Sequence, residues 1–592
     1  MTKQSATRGL PKKSLRLQNK GINEEYVIPA KDCPTTGGNP DQSHLNAKYE
    51  QKNTRYLAFN QRTINICAER HFQQVETNMD YSMIKYRMQS IIFLIIFLGF
   101  SFSILSYGKT KNLTYPDDTW RISTPEEQGM DSKNILEMFQ KIHSSTLDFH
   151  SILIIRNGTM VTEAYWAPYN KNTTHNLKSA SKSILSALVG IALEKKNLNN
   201  LHQKVSEFFP EYVQEPKKQD ISLYNLLTMT AGFNWMEDSG PNPYDLENWN
   251  KIPMRDKPGK KFEYNTTLTH MMSAILTKAS GESTKNFADS FLFKPLGIKS
   301  YTWNKSGDGY YKGGSDIFLT PRDMAKFGYL FLNKGKWKQQ QVVPEEWVKE
   351  STSLKVKIPD NVSYAADLDY GYWWWIQDKG YMAWGAGGQY IIVRPDLDLV
   401  VVITANGFEN INRYGEFMKS FLAKNIYSAI KSDSPLPANP LAFKELNNTI
   451  LEIENPKEIL NGSMPEIAAK ISNNNYILES NKMGFKSINF TFDNNAVCSW
   501  KYCLADKKIN MQVGLKGNYI INKIDFSMGV NPDGEEIACK GYWKNDDTFI
   551  IEHHIIGDPS KQIFELRFHE QNVTMKISTY GMNATIKGTI EK

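Results

Sequence analysis

Residues 151–166, SILIIRNGTMVTEAYW, and residues 390–405, YIIVRPDLDLVVVITA, are two pairs of β-rich runs, each divided by a turn signal. Asn157-Gly158 divides the first pair and Pro395-Asp396 the second. An Asn-Gly step accepts positive φ at little cost, so it marks a tight hairpin. Between the pairs the apolar period changes from two to about 3.6. SKSILSALVGIALEKKNL repeats apolar residues at i, i+3, i+4 and i+7, and ISLYNLLTMTAGF and NTTLTHMMSAILTKASGES follow the same rule. TPRDMAKFGYLFLNKG has Thr320 as a helix cap, Pro321 at the first helical position and Gly335 past the end. This order of strand pair, helices and strand pair predicts an α/β (α+β) domain. Its antiparallel sheet draws strands from both ends, is flanked by helices and carries a helical subdomain.

Residues 432–446, SDSPLPANPLAFKEL, contain three prolines and read as a linker over 432–449. Beyond it, KINMQVGLKGNYIINKIDFSMGV, GYWKNDDTFIIEHHII and QIFELRFHEQNVTMKISTYG read as successive antiparallel strands. Residues 450–592 are therefore expected to form a C-terminal all-β barrel or sandwich.

The charge is unevenly placed. Of the net +7, residues 1–90 hold 14 Lys/Arg against 8 Asp/Glu, or +6, which leaves +1 for the other 502 residues. A nearly neutral folded part argues against nucleic acid as a partner. Residues 91–107, IIFLIIFLGFSFSILSY, are the single membrane-grade run, and they follow Lys85 and Arg87. From Met83 the pattern is that of a complete signal-peptide start. That predicts a signal peptide or signal anchor over 83–108, with translation starting at Met83. Residues 1–82, polar and without clear periodicity, read as a disordered segment upstream of that start. An exported protein, periplasmic or extracellular, is expected on either reading, touching membrane only through residues 91–107 if they are retained.

Cysteine use fits export: none occurs in residues 109–497, and Cys498, Cys503 and Cys539 cluster near the end. One disulfide among these three is expected. His553 and His554 are adjacent, so on a strand they face opposite ways and make a poor metal pair. No metal and no cofactor are expected. His175 lies near Ser179, but no carboxylate at a suggestive spacing completes a Ser-His-Asp triad.

The chemistry concentrates in LKSASKSILSALVG, where Ser179 and Lys182 stand three apart as polar sequence gives way to an apolar run. The spacing alone is weak evidence, since Ser82, Ser106 and Ser428 each have a lysine three residues on. Residues i and i+3 share a helix face, so the Ser179 hydroxyl and the Lys182 amine can meet. A lysine at the positive end of a helix and beside an apolar run is driven toward neutrality, and a neutral amine can take a serine proton. A capped surface helix is the plainer alternative. Tyr264, in GKKFEYNTT, and the glycine-dense MAWGAGGQYIIVRP are two further features.

Together these segments, with SGESTKNFADSFLFKPLGI, VPEEWV and YGYWWW in the same order, resemble the serine β-lactamase and penicillin-binding-protein family. The resemblance runs from about residue 120 to 430, within a domain expected over 115–431, and is to the class C-like branch of esterases and 6-aminohexanoate-dimer hydrolases. It implies that Ser179 is the acylated nucleophile, Lys182 its general base and Tyr264 a proton relay to the leaving group. It further implies an oxyanion hole from the backbone N–H groups of Ser179 and Ala386, with Asn265, Trp384 and Gly387 lining the substrate site. A small-molecule amide or ester would be the substrate. A non-catalytic or slowly acylating scaffold on the same fold is the alternative.

Two departures from the family pattern stand out. Its Tyr-x-Asn reads Tyr264-Asn265-Thr266, so the usual asparagine is shifted by one place or absent. Its Lys-Thr-Gly strand reads Ala383-Trp384-Gly385, without the cation. Arg255 and Arg322 are the candidates to replace that charge from other loops.

Overall fold

The computed structural model describes residues 115–592, apart from 117–118, 146, 238, 360–366, 408–417, 419, 458–463, 494–495, 528–529, 532–533 and 580–581. The predicted hairpins lie at one end of a single eight-stranded sheet. Strands β1 (Asp148–Arg156) and β2 (Thr159–Tyr165) turn at Asn157 and Gly158, both with positive φ. Short β3 (Val356–Lys357), β4 (Asp369–Tyr370) and β5 (Trp375–Gln377) precede β6 (Gly380–Gly385), β7 (Gln389–Arg394) and β8 (Leu399–Asn406). The order across the sheet is β2-β1-β8-β7-β6-β5-β4-β3, with every pairing antiparallel. The first and last long strands thus pair with each other, as Ile152 opposite Ile403 and Ile154 opposite Val401.

Of helices α1 (Ser132–His143), α2 (Ser181–Glu194), α3 (Thr266–Ser280), α4 (Pro321–Leu332) and α5 (Pro440–Glu454), α2, α4 and α5 pack on this sheet, while α1 lies against α5 and α3 against α2. Helix α4 lies across β1, β7 and β8, and Thr320 caps it by accepting from Asp323 N–H. Helix α2 is buried on all sides from Ser181 to Ala192. A helix enclosed all round belongs to the centre of a domain, which rules out the capped surface helix.

The segment expected to be a linker over 432–449 is not one throughout. Pro440 occupies the first turn of α5, Asn439 caps it by accepting from Ala442 N–H, and Ala442, Leu446, Ile450 and Ile453 are buried. A first-turn proline loses no intrahelical bond, so the proline-rich stretch starts a helix here. That helix packs against α1.

The C-terminal domain is a closed barrel. Strands β9 (Asn475–Leu478), β10 (Phe485–Phe492), β11 (Val497–Leu504), β12 (Lys507–Gly514), β13 (Ile520–Ile524), β14 (Glu535–Asn545), β15 (Thr548–Ile555), β16 (Lys561–His569), β17 (Asn572–Thr579) and β18 (Met582–Ile590) run in sequence. Nine close the ring in the order β12-β11-β10-β9-β18-β17-β16-β15-β14, and β12 meets β14 at Gly514 and Lys540. Strand β13 is added outside, on β14. Alternate residues such as Phe564, Leu566, Phe568, Val573, Met575 and Ile577 fill the interior.

Cys498, Cys503 and Cys539 are all free thiols, so the expected disulfide is absent among the described residues. Cys498 and Cys503 lie five apart on β11 and face opposite sides of it. Strand β12 separates Cys498 from Cys539 on β14. Two strand spacings, roughly 9.5 Å, exceed what a disulfide spans. Residues 1–82 and the hydrophobic run within 83–108 lie outside the described residues. Among the described residues no helix is long and apolar enough to cross a membrane.

Candidate active site

Ser179 is the middle residue of a 3-10 turn, Lys178–Ala180, that runs straight into α2. It is half-buried and makes no side-chain cap, as Ala180 occupies the cap position. The turn abuts β6 and β7. Gly385, at the end of β6, lies so close that a Cβ there would come within 2.0 Å of the Leu177 carbonyl oxygen. Only glycine permits this approach. It brings the exposed Ala386 turn up beside the Ser179 turn.

Lys182 is 1% exposed, and its Nζ has three partners: Ser179 Oγ at 3.0 Å, Thr266 Oγ1 at 3.0 Å and the Gly314 carbonyl at 3.1 Å. Burial lowers its pKa to about 8, opposed by the nearby Glu237 carboxylate. Thr266 is itself committed: its Oγ1 donates to Glu237 Oε1, and its backbone N–H donates to Glu237 Oε2 at 3.0 Å. Trp235 Nε1 donates to the same Oε2 at 2.7 Å. Because the Thr266 proton goes to Glu237, its oxygen must accept from Lys182. Gly314 O can only accept. A neutral amine has two protons, both taken by these acceptors, and its lone pair then points to the Ser179 hydroxyl. The geometry therefore suits proton removal from Ser179.

Tyr264 is half-buried, with the Lys182 ammonium 5.0 Å from its ring centroid. It begins a line of aromatic rings. Tyr264 stacks on Trp375 at 5.9 Å, Trp375 meets Trp384 at 5.1 Å, and Trp384 stacks on Tyr390 at 5.8 Å. Trp373 serves α2 from behind: its carbonyl accepts from Ser183 Oγ at 2.7 Å, and its Nε1 donates to Leu226 O.

Ser179, Lys182 and Tyr264 come together as the sequence predicts, and Trp384 lies on the aromatic line. Asn265 does not reach the site as expected of a substrate-binding residue. It is 1% exposed and caps α3, accepting from Thr267 N–H at 2.8 Å. Thr266 takes the place beside Lys182. Gly387 is buried at φ +79, and its carbonyl accepts from Gly407 N–H, so it shapes the turn. His175 is buried away from the reacting pair, its Nδ1 on the Thr173 carbonyl and its ring against Tyr169 and His150. The arginines proposed to replace the missing cation are paired elsewhere. Arg322 makes two bonds of 2.7 Å to Glu163 on β2, and Arg255 is held by Asp256 and Glu263. Sequence reading missed Glu237 entirely. It had the signal for Thr266, two places after Tyr264, but read the asparagine as the one that matters.

Residues 128–416 match the Beta-lactamase family model. An uncharacterised protein of Alkalihalophilus pseudofirmus is 23% identical over 300 residues, covering 44% of this chain and 84% of that protein. The 6-aminohexanoate-dimer hydrolase of Paenarthrobacter ureafaciens is 21% identical over 323 residues, covering 50% of this chain and 81% of that enzyme. Among solved structures, the octameric penicillin-binding protein homologue from Pyrococcus abyssi aligns at 16% identity with a TM-score of 0.41, covering 76% of this chain and 99% of that one. Residues 128–416, the part of the chain that holds Ser179 and Lys182, are thus a beta-lactamase-type domain.

Proposed function

We propose that the protein hydrolyses an uncharged amide or ester through an acyl-enzyme on Ser179. The observation that carries this reading is the buried Lys182 amine, 3.0 Å from Ser179 Oγ and with its pKa lowered to about 8. In the first step the Lys182 lone pair takes the Ser179 proton as Oγ attacks the substrate carbonyl. The backbone N–H groups of Ser179 and Ala386 face the oxygen that becomes negative, a stabilisation worth about 2.7–4 kcal/mol per donor. The proton on Lys182 then passes to the leaving group, with Tyr264 beside the path. Water attacks the acyl-enzyme in the second step and restores Ser179.

Two features support an uncharged substrate. The strand that would carry a cation reads Ala383-Trp384-Gly385, and both Arg255 and Arg322 are committed to carboxylates. The half-buried Tyr264 and Trp384, backed by the buried Trp375 and Tyr390, offer flat apolar surface instead. A charge-assisted contact to a ligand carboxylate contributes about 1.5–3 kcal/mol, and its loss disfavours penicillins. Labelling with a fluorophosphonate, lost in Ser179→Ala, tests the nucleophile. Turnover of nitrophenyl butyrate should exceed that of penicillin or cephalosporin, and the reverse order would refute the substrate class.

Export through residues 83–108 is part of the same proposal, motivated by the apolar run behind Lys85 and Arg87. Mass spectrometry of the native protein should find no tryptic peptide from residues 1–70.

A further inference from the structure

The barrel reaches the residues that flank the nucleophile. Its β15–β16 turn, residues 556–560, meets the strand and turn at 175–179. Asn176 N–H donates to the Gly557 carbonyl at 2.7 Å. Lys178 Nζ pairs with Asp558 Oδ2 at 2.9 Å, and the two side chains are only 26% and 14% exposed. The other Asp558 oxygen accepts from Ser560 N–H at 2.9 Å and from Ser560 Oγ, which fixes the carboxylate's orientation. Gly557, at φ +92, lies against the Thr174 carbonyl, where a Cβ would sit 3.1 Å away.

Lys178 immediately precedes Ser179 and has φ +48, a conformation L side chains rarely adopt. Such a residue stays there only when its surroundings hold it. Two anchors do so. Its N–H donates to Asn176 Oδ1 at 2.9 Å, and its ammonium is tied to Asp558. Asn176 is fixed in turn by Asp316 through its side chain and by Gly557 through its backbone. Half of this scaffolding therefore comes from the other domain.

We infer that the C-terminal barrel is a working part of the hydrolase site, with Asp558 a positioning residue that holds Lys178, and through it Ser179 Oγ, in line with Lys182. This rests on the reading of Ser179 as nucleophile. Small displacements of a reacting atom cost large factors in rate, about a hundredfold for 1 Å. Loss of the Asp558 anchor should therefore lower kcat while KM changes little, since the side-chain partners of Asp558 are Lys178 and Ser560.

The test measures fluorophosphonate labelling of Ser179, and kcat and KM on nitrophenyl butyrate, in the whole chain. Wild type should label and Ser179→Ala should not; failure there would reject the nucleophile and leave the positioning claim without its parent. Given labelling, Asp558→Ala and the near-isosteric Asp558→Asn should slow it about ten- to a hundredfold per folded molecule. The charge-reversed pair Lys178→Glu with Asp558→Lys should recover part of the rate. Lys561→Gln breaks another ion pair between the domains, to Asp148 at 3.1 Å, without touching residues 176–179. It should label within twofold of wild type. The inference is overturned if Asp558→Ala labels within twofold of wild type, or if Lys561→Gln slows labelling as much as Asp558→Ala does.

Discussion

Lys182 in the hydrolase domain and His553 in the barrel are both almost fully enclosed, yet they are treated differently by their surroundings. Lys182 has three polar partners, each at 3.0–3.1 Å, on three separate segments of the chain. His553 lies among Trp500 and Phe564, and neither of its ring nitrogens has a hydrogen-bond partner among the described residues. Burial lowers both pKa values, to about 8 for the lysine and to about 3 for the histidine. The lysine is left titrating near working pH with its lone pair directed at a hydroxyl. The histidine is a neutral filler at any such pH. Desolvation alone does not equip a group for proton transfer, and the directed partners are what set Lys182 apart.

The contrast should break most completely at Lys182. Lys182→Ala should lower the acylation rate by about 10²–10⁴-fold and leave the fold intact, because its contribution is proton transfer. Lys182→Arg should be as inactive, since guanidinium keeps its proton. Both are read from labelling rates beside circular dichroism. Thr266→Val removes one acceptor that orients the amine and should cost about tenfold in the same assay.

Glu237→Gln sharpens the account with a shift in pH dependence. Glu237 raises the Lys182 pKa against the effect of burial, so its neutralisation should move the inflection of the rate profile to lower pH. A shift to higher pH would contradict the assigned electrostatics.

The smallest effect on activity is expected in the barrel. His553→Phe should leave the labelling rate unchanged and alter acid stability. The folded pKa of His553 lies below the unfolded value near 6.5, so between about 6.5 and 3 the unfolded chain binds the extra proton. Stability is complete above pH 6.5 and falls as pH drops toward 3, by about 1.4 kcal/mol per pH unit for this group. Thermal midpoints measured from pH 7 to 4 should show a shallower loss in His553→Phe.

Much of this was legible in the sequence for local reasons. Asn157-Gly158, Pro395-Asp396 and Thr320-Pro321 are punctuation whose geometry depends on neighbours alone, and both hairpins and α4 form where they predict. Ser179 and Lys182 share one helix, so their meeting follows from a three-residue spacing. Glu237 was invisible because it reaches Thr266 from a loop 29 residues earlier, with no period or motif to mark it. Asp558 lies 380 residues from Lys178 and in another domain. The expected linker over 432–449 is in part a helix because Pro440 stands in a first turn and Ala442, Leu446, Ile450 and Ile453 share one buried face. The expected disulfide failed because sequence proximity says nothing about which strands adjoin in a barrel.

The most direct measurement of the central claim is the pH profile of Ser179 acylation in the wild-type protein, between pH 5 and 10, under single-turnover conditions. A neutral Lys182 acting as base predicts a rate that rises with pH and levels off above about 8, with that inflection absent from the residual rate of Lys182→Ala. A rate already level by pH 7, or an inflection near 8 that survives in Lys182→Ala, would contradict it.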